Sequence, residues 1–70
     1  MAHFNLGYFW HRQKKLPRAI DCYRKVLELN PKHAGAYTNL GIALRQHHRP
    51  DEALAAFRKA IEARPDAAHR

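Results

Sequence analysis

Six histidines and one cysteine are the residues of this sequence whose side chains could bind a metal ion or attack a substrate. His47 and His48 are adjacent, so on a helix their side chains would diverge by about 100 degrees. No pair of Cys or His residues has the spacing of a zinc site. Cys22 has no evident catalytic partner, the sequence contains no serine, and its glycines form no phosphate-binding loop. We therefore predict a protein that is not an enzyme and that binds no metal or other cofactor.

A basic run formed by Arg12, Lys14, Lys15 and Arg18 is the most concentrated charge in a chain of formal net charge +7. Basic side chains beside aromatic rings can bind nucleic acid through phosphate contacts and stacking. Lys and Arg at the end of a helix also stabilise its dipole in an exposed turn, and the sequence has no motif that reads bases. Nucleic-acid binding is therefore the alternative function, behind protein binding.

The sequence has no apolar run near the roughly 20 residues that cross a bilayer, and its start lacks the layout of a signal peptide. Because Cys22 is the only cysteine, no disulfide within the chain can stabilise the fold. A lone cysteine fits a reducing compartment. These features predict a soluble, cytoplasmic protein that does not bind membranes.

Two similar halves make up the chain. A shift of 34 residues aligns Leu6-Gly7 with Leu40-Gly41 and Arg24-Lys25 with Arg58-Lys59, among ten identities in 36 aligned pairs. Each half has two stretches in which apolar side chains recur at helical spacing, and a proline follows the second stretch. Each half is therefore predicted to form an antiparallel helical hairpin.

The spacing also predicts where the helices lie. The first repeat covers about residues 1–33, with helices over about 2–14 and 17–29, and the second covers about residues 34–66, with helices over about 35–48 and 51–63. Residues 67–70 form a tail that resembles the start of a further hairpin. Within each hairpin, Gly7 and Gly41 are predicted to lie opposite the small Ala19 and Ala53, so that the helices approach closely.

The pattern resembles the tetratricopeptide repeat, a helical hairpin with a 34-residue period. The matching residues are Leu6-Gly7, Trp10, Ala19, Tyr23 and Pro31 in the first copy, and Tyr37, Leu40-Gly41, Ala53, Phe57 and Pro65 in the second. The resemblance implies an all-α fold in which the two hairpins stack into a short right-handed solenoid. It also implies a role in protein-protein interaction, with the first helix of each hairpin lining a concave groove.

The groove implied by this resemblance combines apolar side chains with a basic edge. Asn5 and Asn39 match an asparagine position that one branch of the family uses to bind chaperone carboxylates, but Phe4 and Tyr8 replace other residues of that clamp. A protein or peptide with hydrophobic anchors and acidic flanks would suit the groove instead. The predicted groove residues are Phe4, Asn5, Tyr8, His11, Arg12, Thr38, Asn39, Ile42 and Arg45.

Three consecutive aromatic residues, Tyr8, Phe9 and Trp10, occupy the first helix. Because successive helical residues point about 100 degrees apart, the three rings face different directions. Trp10 shares a face with Leu6 and is predicted to lie in the core. Phe9 points sideways, at the position where the second copy has Ala43. Because repeat units bury such faces only against neighbours, either the chain is a fragment of a longer array or its open ends pair with another copy. We predict self-association, most simply as a homodimer to which Phe9 contributes.

Overall fold

Four α-helices form the part of the molecule that the structure, a computed structural model, describes, which is residues 2–63. These helices are α1 (Ala2–Arg12), α2 (Leu16–Leu29), α3 (Ala34–Gln46) and α4 (Pro50–Ala63). The helix α1 packs on α2, α3 packs on α4, and α2 packs on α3, so the chain forms two hairpins joined through α2 and α3. The predicted tail over residues 67–70 lies outside the described residues.

Left-handed residues end the first helix of each hairpin. Lys14 and His48, which are 34 positions apart, both have a φ of 62°. The next residue then donates its backbone N–H back into the helix: Lys15 to the Trp10 carbonyl at 2.9 Å, and Arg49 to the Leu44 carbonyl at 2.8 Å. This arrangement satisfies the last carbonyls of a helix. It explains why α1 and α3 end two residues before the predicted bounds.

Glycine at either of these two positions should stabilise the fold. A left-handed φ costs a residue with a Cβ atom roughly 1 kcal/mol or more, and glycine avoids that cost at some loss of unfolded-state entropy. We expect His48→Gly and Lys14→Gly each to raise the free energy of unfolding by about 0.5 to 1 kcal/mol, measured by urea denaturation. The control Arg58→Gly, at an exposed site inside α4, should lower it by about 1 kcal/mol. Equal losses for all three variants would contradict the left-handed caps.

The core lies between the two hairpins, where α2 packs on α3. Tyr23 is fully buried there, together with Ala19 and Ile20 from α2 and Leu40 and Leu44 from α3. The Tyr23 hydroxyl makes no hydrogen bond of ordinary geometry, although the Asn39 side chain lies close enough to favour its ionised form slightly. Burial is the main reason that the pKa of Tyr23 rises to about 12, so the phenol stays neutral at physiological pH.

Gly7 and Gly41 allow their helices to pack closely against aromatic rings. A Cβ atom added at Gly7 would lie 2.8 Å from Cε1 of Tyr23, and one added at Gly41 would lie 2.7 Å from Cε1 of Phe57. The atoms nearest to these two positions therefore belong to ring side chains, and not to the predicted Ala19 and Ala53. Tyr23 and Phe57, which lie one helical turn after Ala19 and Ala53, fill the space beside the two glycines.

The predicted core face of α1 is only partly covered. Trp10 is half-buried and packs against the core, as predicted, but Leu6 on the same face is 43% exposed. The Arg18 guanidinium lies over the Trp10 ring, 5.1 Å from its centroid. Helical spacing placed both residues on one face correctly. It did not show that this face has no helix packed over it among residues 2–63.

Candidate protein-binding face

The helices α1 and α3 run side by side in the same direction. Near their N-terminal ends, the rings of Phe4 and His33 stack with centroids 4.9 Å apart. Near their C-terminal ends, Nε2–H of His11 donates a hydrogen bond of 2.9 Å to Oε1 of Gln46. We call the surface along the two helices between these contacts the α1/α3 face.

Two of the predicted groove residues hold the helices together. Phe4 is half-buried and also packs on Tyr23, with ring centroids 6.0 Å apart. His11 is half-buried and meets the edge of the same ring at 6.4 Å. Phe4 and His11 therefore join α1 to α2 and α3, so we assign them a positioning role and not a primary contact with a ligand.

Other predicted residues remain available to a ligand. Tyr8 is 53% exposed, and the Arg12 guanidinium lies 6.0 Å from the centroid of its ring. Asn5, Thr38 and Arg45 are also exposed, and the Thr38 hydroxyl donates to the Ala34 carbonyl at 3.1 Å. The remaining two predicted residues, Asn39 and Ile42, are half-buried.

A basic edge borders this face at the C-terminal ends of the helices. Because α1 and α3 are parallel, Arg12 and Arg45 both lie in last turns that end on the same side. Neither of them forms an ion pair within residues 2–63, whereas Arg49 in the following turn pairs with Glu52 at 3.1 Å. The two free guanidinium groups can therefore meet an acidic group of a ligand without losing an existing ion pair.

The sequence interpretation missed two residues that shape this face. His33 is the N-cap of α3, where its Nδ1 accepts a 3.0 Å hydrogen bond from the backbone N–H of Ala36. Histidine is not among the residues preferred at this position, so no signal marked it. Gln46 stands 34 residues after Arg12, in the second copy of the basic helix end, and that alignment alone could have indicated its position.

Cys22 and the possible metal ligands of the described residues were the other candidates for chemistry. Burial, followed by the negative charge of Asp21, raises the pKa of the Cys22 thiol, which disfavours the reactive thiolate. Nowhere in residues 2–63 do three His, Cys, Asp or Glu side chains come together in a way that could hold a metal ion. Over the same residues, no helix is both long enough and apolar enough to span a membrane.

Comparison with known proteins settles the family. A family profile described as tetratricopeptide repeat matches residues 1–34 and, in a second match, residues 13–68. The second match alone covers more than half of the chain. The chain belongs to the tetratricopeptide repeat family. The predicted membership and the predicted all-α solenoid fold are both confirmed.

Relatives of this tetratricopeptide repeat chain are much longer proteins. It is 33% identical over 60 residues to the peroxisomal targeting signal receptor of Kluyveromyces lactis, covering 86% of this chain but 11% of the receptor. It is 32% identical over 66 residues to a UDP-N-acetylglucosamine–peptide N-acetylglucosaminyltransferase of Giardia intestinalis, covering 94% of this chain and 4% of the transferase. The chain thus corresponds to a small segment of either relative.

A solved structure shows the same fold. The crystal structure of MamA superimposes with a TM-score of 0.89 at 29% sequence identity, over 99% of this chain and 40% of the MamA chain. The similarity extends over both hairpins. As a member of the tetratricopeptide repeat family, the chain is a protein-protein interaction module.

Proposed function

We propose that this module binds a peptide or protein segment along the α1/α3 face, by a non-catalytic mechanism. An apolar anchor of the ligand would pack against Tyr8 and Ile42. Acidic groups beside that anchor would pair with Arg12 and Arg45 at the basic edge. The lone cysteine of the sequence suits a cytoplasmic setting for this binding, because no disulfide within the chain is needed.

The observation that carries the proposal is Tyr8. A tyrosine that is 53% exposed, with a guanidinium group beside its ring, has the composition of a binding hot spot, where Tyr and Arg are enriched. Helices that pack correctly do not require an aromatic ring at this site, because the second hairpin has Ile42 at the equivalent position. The name of the Kluyveromyces lactis relative, a receptor for a targeting signal, supports recognition of a short segment.

Removing both side chains should abolish most of the binding. We would select peptides from a random display library on the full chain and measure the tightest one by fluorescence anisotropy. Tyr8→Ala/Arg12→Ala should raise its Kd by about tenfold or more, since loss of a buried aromatic contact costs more than about 1.4 kcal/mol. Both side chains are largely exposed in the free protein, so the variant should fold normally by circular dichroism.

A matched variant tests whether the loss is specific. Leu29→Ala/Arg58→Ala removes one exposed apolar side chain and one exposed arginine from α2 and α4. We expect its Kd to stay within about twofold of the wild-type value. The assigned face is wrong if both double variants bind the peptide as well as the wild type does.

Self-association is the second part of the proposal. Phe9 is 50% exposed, whereas its counterpart Ala43 is fully buried against the first hairpin. An apolar ring at a position that faces a neighbouring unit in the second hairpin supports a contact with another copy. A homodimer formed through Phe9 would cover this ring and leave the α1/α3 face to a different partner.

Binding to nucleic acid or another polyanion is the competing function. It is favoured by the side-by-side ends of α1 and α3, which bring the basic turns containing Lys14, Lys15 and His48 to one side of the molecule. A salt series separates the two functions. Affinity that falls by orders of magnitude between low and physiological salt, for any DNA or RNA sequence, would favour phosphate contacts. Peptide binding through an apolar anchor should change far less.

A further inference from the structure

The two hairpins differ in whether a neighbour covers the same face. On the second hairpin, Leu40 is 7% and Ala43 is 0% exposed, because α2 of the first hairpin packs there. Their counterparts on the first hairpin, Leu6 and Phe9, are 43% and 50% exposed. We call this surface of the first hairpin the open face, formed by Leu6, Phe9, Trp10, Arg18, Asp21, Cys22 and Lys25.

Head-to-tail stacking of a second copy would bring like charges together on the open face. Within the molecule, Nη2 of Arg24 and Oε1 of Glu52 form an ion pair of 3.3 Å between the hairpins. The residues 34 positions from these two are Arg58 and Arg18. A copy that stacked its second hairpin on the open face in the same way would set Arg58 against Arg18. Juxtaposed like charges strongly disfavour such an interface.

Head-to-tail stacking is also disfavoured by size. Phe9 occupies the position at which Ala43, with no exposed surface, meets the first hairpin. A phenylalanine ring does not fit into the space that a fully buried alanine fills, because protein interiors are close-packed. The open face therefore requires an occupant with a different geometry from the contact inside the molecule.

The exposed charges along α2 are complementary to those of a second, antiparallel copy of the same helix. Arg18, Asp21, Lys25 and Glu28 are all exposed and follow the helical spacing i, i+3, i+7 and i+10. We call these four residues the α2 stripe. Their charges read plus, minus, plus, minus in one direction and minus, plus, minus, plus in the other. Two antiparallel copies of the stripe would therefore pair Arg18 with Glu28 and Asp21 with Lys25, each pair occurring twice.

The equivalent stripe on α4 lacks this property. It consists of Glu52, Ala55, Lys59 and Glu62, so both of its ends are acidic and would repel in an antiparallel pair. On α2, by contrast, the stacking of Arg18 over Trp10 keeps the first positive charge on the open face. Of these two stripes, the self-complementary one lies on the helix that borders Leu6 and Phe9.

We propose that the chain forms a two-fold dimer through the open face, with the two α2 stripes antiparallel and the axis passing between Asp21 and Lys25. This inference rests on the proposed self-association and names its surface and symmetry. Leu6 and Phe9 of each copy would flank the paired stripes and lose their exposure to water. An interface of this kind is isologous, so it closes at two copies and does not extend into a filament.

Charge reversal provides a strict test. Arg18→Glu/Lys25→Glu makes the stripe entirely acidic, and Asp21→Lys/Glu28→Lys makes it entirely basic. By sedimentation velocity on the full chain, each variant alone should have a dimer dissociation constant raised by about tenfold or more, because like charges then face each other. An equimolar mixture of the two variants should form a heterodimer at least as tight as the wild-type homodimer.

A control variant distinguishes failure of the proposed dimer geometry from failure of self-association itself. Arg58→Glu/Lys59→Glu makes an equal charge change on exposed residues of α4 and should leave the dimer unchanged. A dimer weakened by this control, but not by either stripe variant, would overturn the open-face geometry and favour head-to-tail contact. Failure of the mixed variants to pair would overturn the antiparallel arrangement. A wild-type chain that stays monomeric at all concentrations would overturn self-association and this inference together, while leaving peptide binding to Tyr8 untouched.

Discussion

Replacing Tyr23 with alanine should lower the free energy of unfolding by about 3 to 5 kcal/mol, the typical cost of truncating a buried large aromatic residue. Tyr23 is the largest fully buried side chain among the residues that the structure describes, and its ring contacts those of Phe4 and His11. Truncation would therefore leave a cavity where α1, α2 and α3 meet, and Phe4 and His11 would lose their contact with the core. Because a domain of this size has only a few kcal/mol of stability, we expect the variant to be largely unfolded at room temperature.

A conservative variant shows whether the ring or its hydroxyl matters. Tyr23→Phe keeps the ring and removes a buried hydroxyl that has no hydrogen-bond partner in the structure. Its free energy of unfolding should equal that of the wild type or exceed it by up to about 1 kcal/mol, since a buried unsatisfied polar group is costly. Urea denaturation followed by circular dichroism measures both variants. A large loss of stability in Tyr23→Phe would show that the hydroxyl is hydrogen-bonded after all.

Replacing Gly7 with alanine should destabilise the fold by about 1 to 2 kcal/mol. Alanine gains about 1 kcal/mol over glycine in helix propensity. Overpacking a tight core costs typically 1 to 3 kcal/mol and sometimes more. The added Cβ atom would lie 2.8 and 3.0 Å from two Tyr23 ring atoms and 3.2 Å from Cβ of Cys22. Because the Tyr23 ring is fully enclosed, it cannot move aside, so the overpacking term should outweigh the helix term.

The equivalent change in the second hairpin provides the comparison. At Gly41, the added Cβ atom would lie 2.7 Å from a ring atom of Phe57, which is even closer. Phe57, however, is only half-buried, so its ring can turn toward solvent. We expect Gly41→Ala to change stability by less than about 1 kcal/mol, because the helix gain offsets the smaller rearrangement. Urea midpoints that rank Gly41→Ala as the more damaging change would contradict this account of the two rings.

Sequence periodicity predicted the fold well because both copies have the same apolar spacing, so each copy supports the interpretation of the other. Helical spacing around Leu6-Gly7 and Leu40-Gly41 identified the hairpins, and the 34-residue period identified the family. The ends of α1 and α3 were misplaced because Lys14 and His48 adopt a left-handed conformation for which glycine is the usual signal. Local spacing cannot detect a cap of this kind when an ordinary side chain occupies it.

The candidate face was harder to predict. Helical spacing gives the direction in which a side chain points, but not the residues of other helices that it contacts. Phe4 and Tyr8 are one helical turn apart and were both predicted to line the groove. In the structure, the Phe4 ring packs against Tyr23 and His33, whereas Tyr8 is 53% exposed. The difference depends on where α3 begins beside α1, and that is a tertiary contact. The exposure of Leu6 has the same origin, since it depends on the absence of a covering helix within residues 2–63.

The central claim is that a ligand binds along α1 and α3. It is tested most directly by mapping amide chemical shifts of the full chain in ¹⁵N–¹H NMR spectra while a selected peptide is titrated in. We predict that the largest changes fall on Tyr8 to Arg12 and on Thr38 to Arg45. Largest changes on α2 or α4, with the amides of Tyr8 and Ile42 unmoved, would contradict the claim.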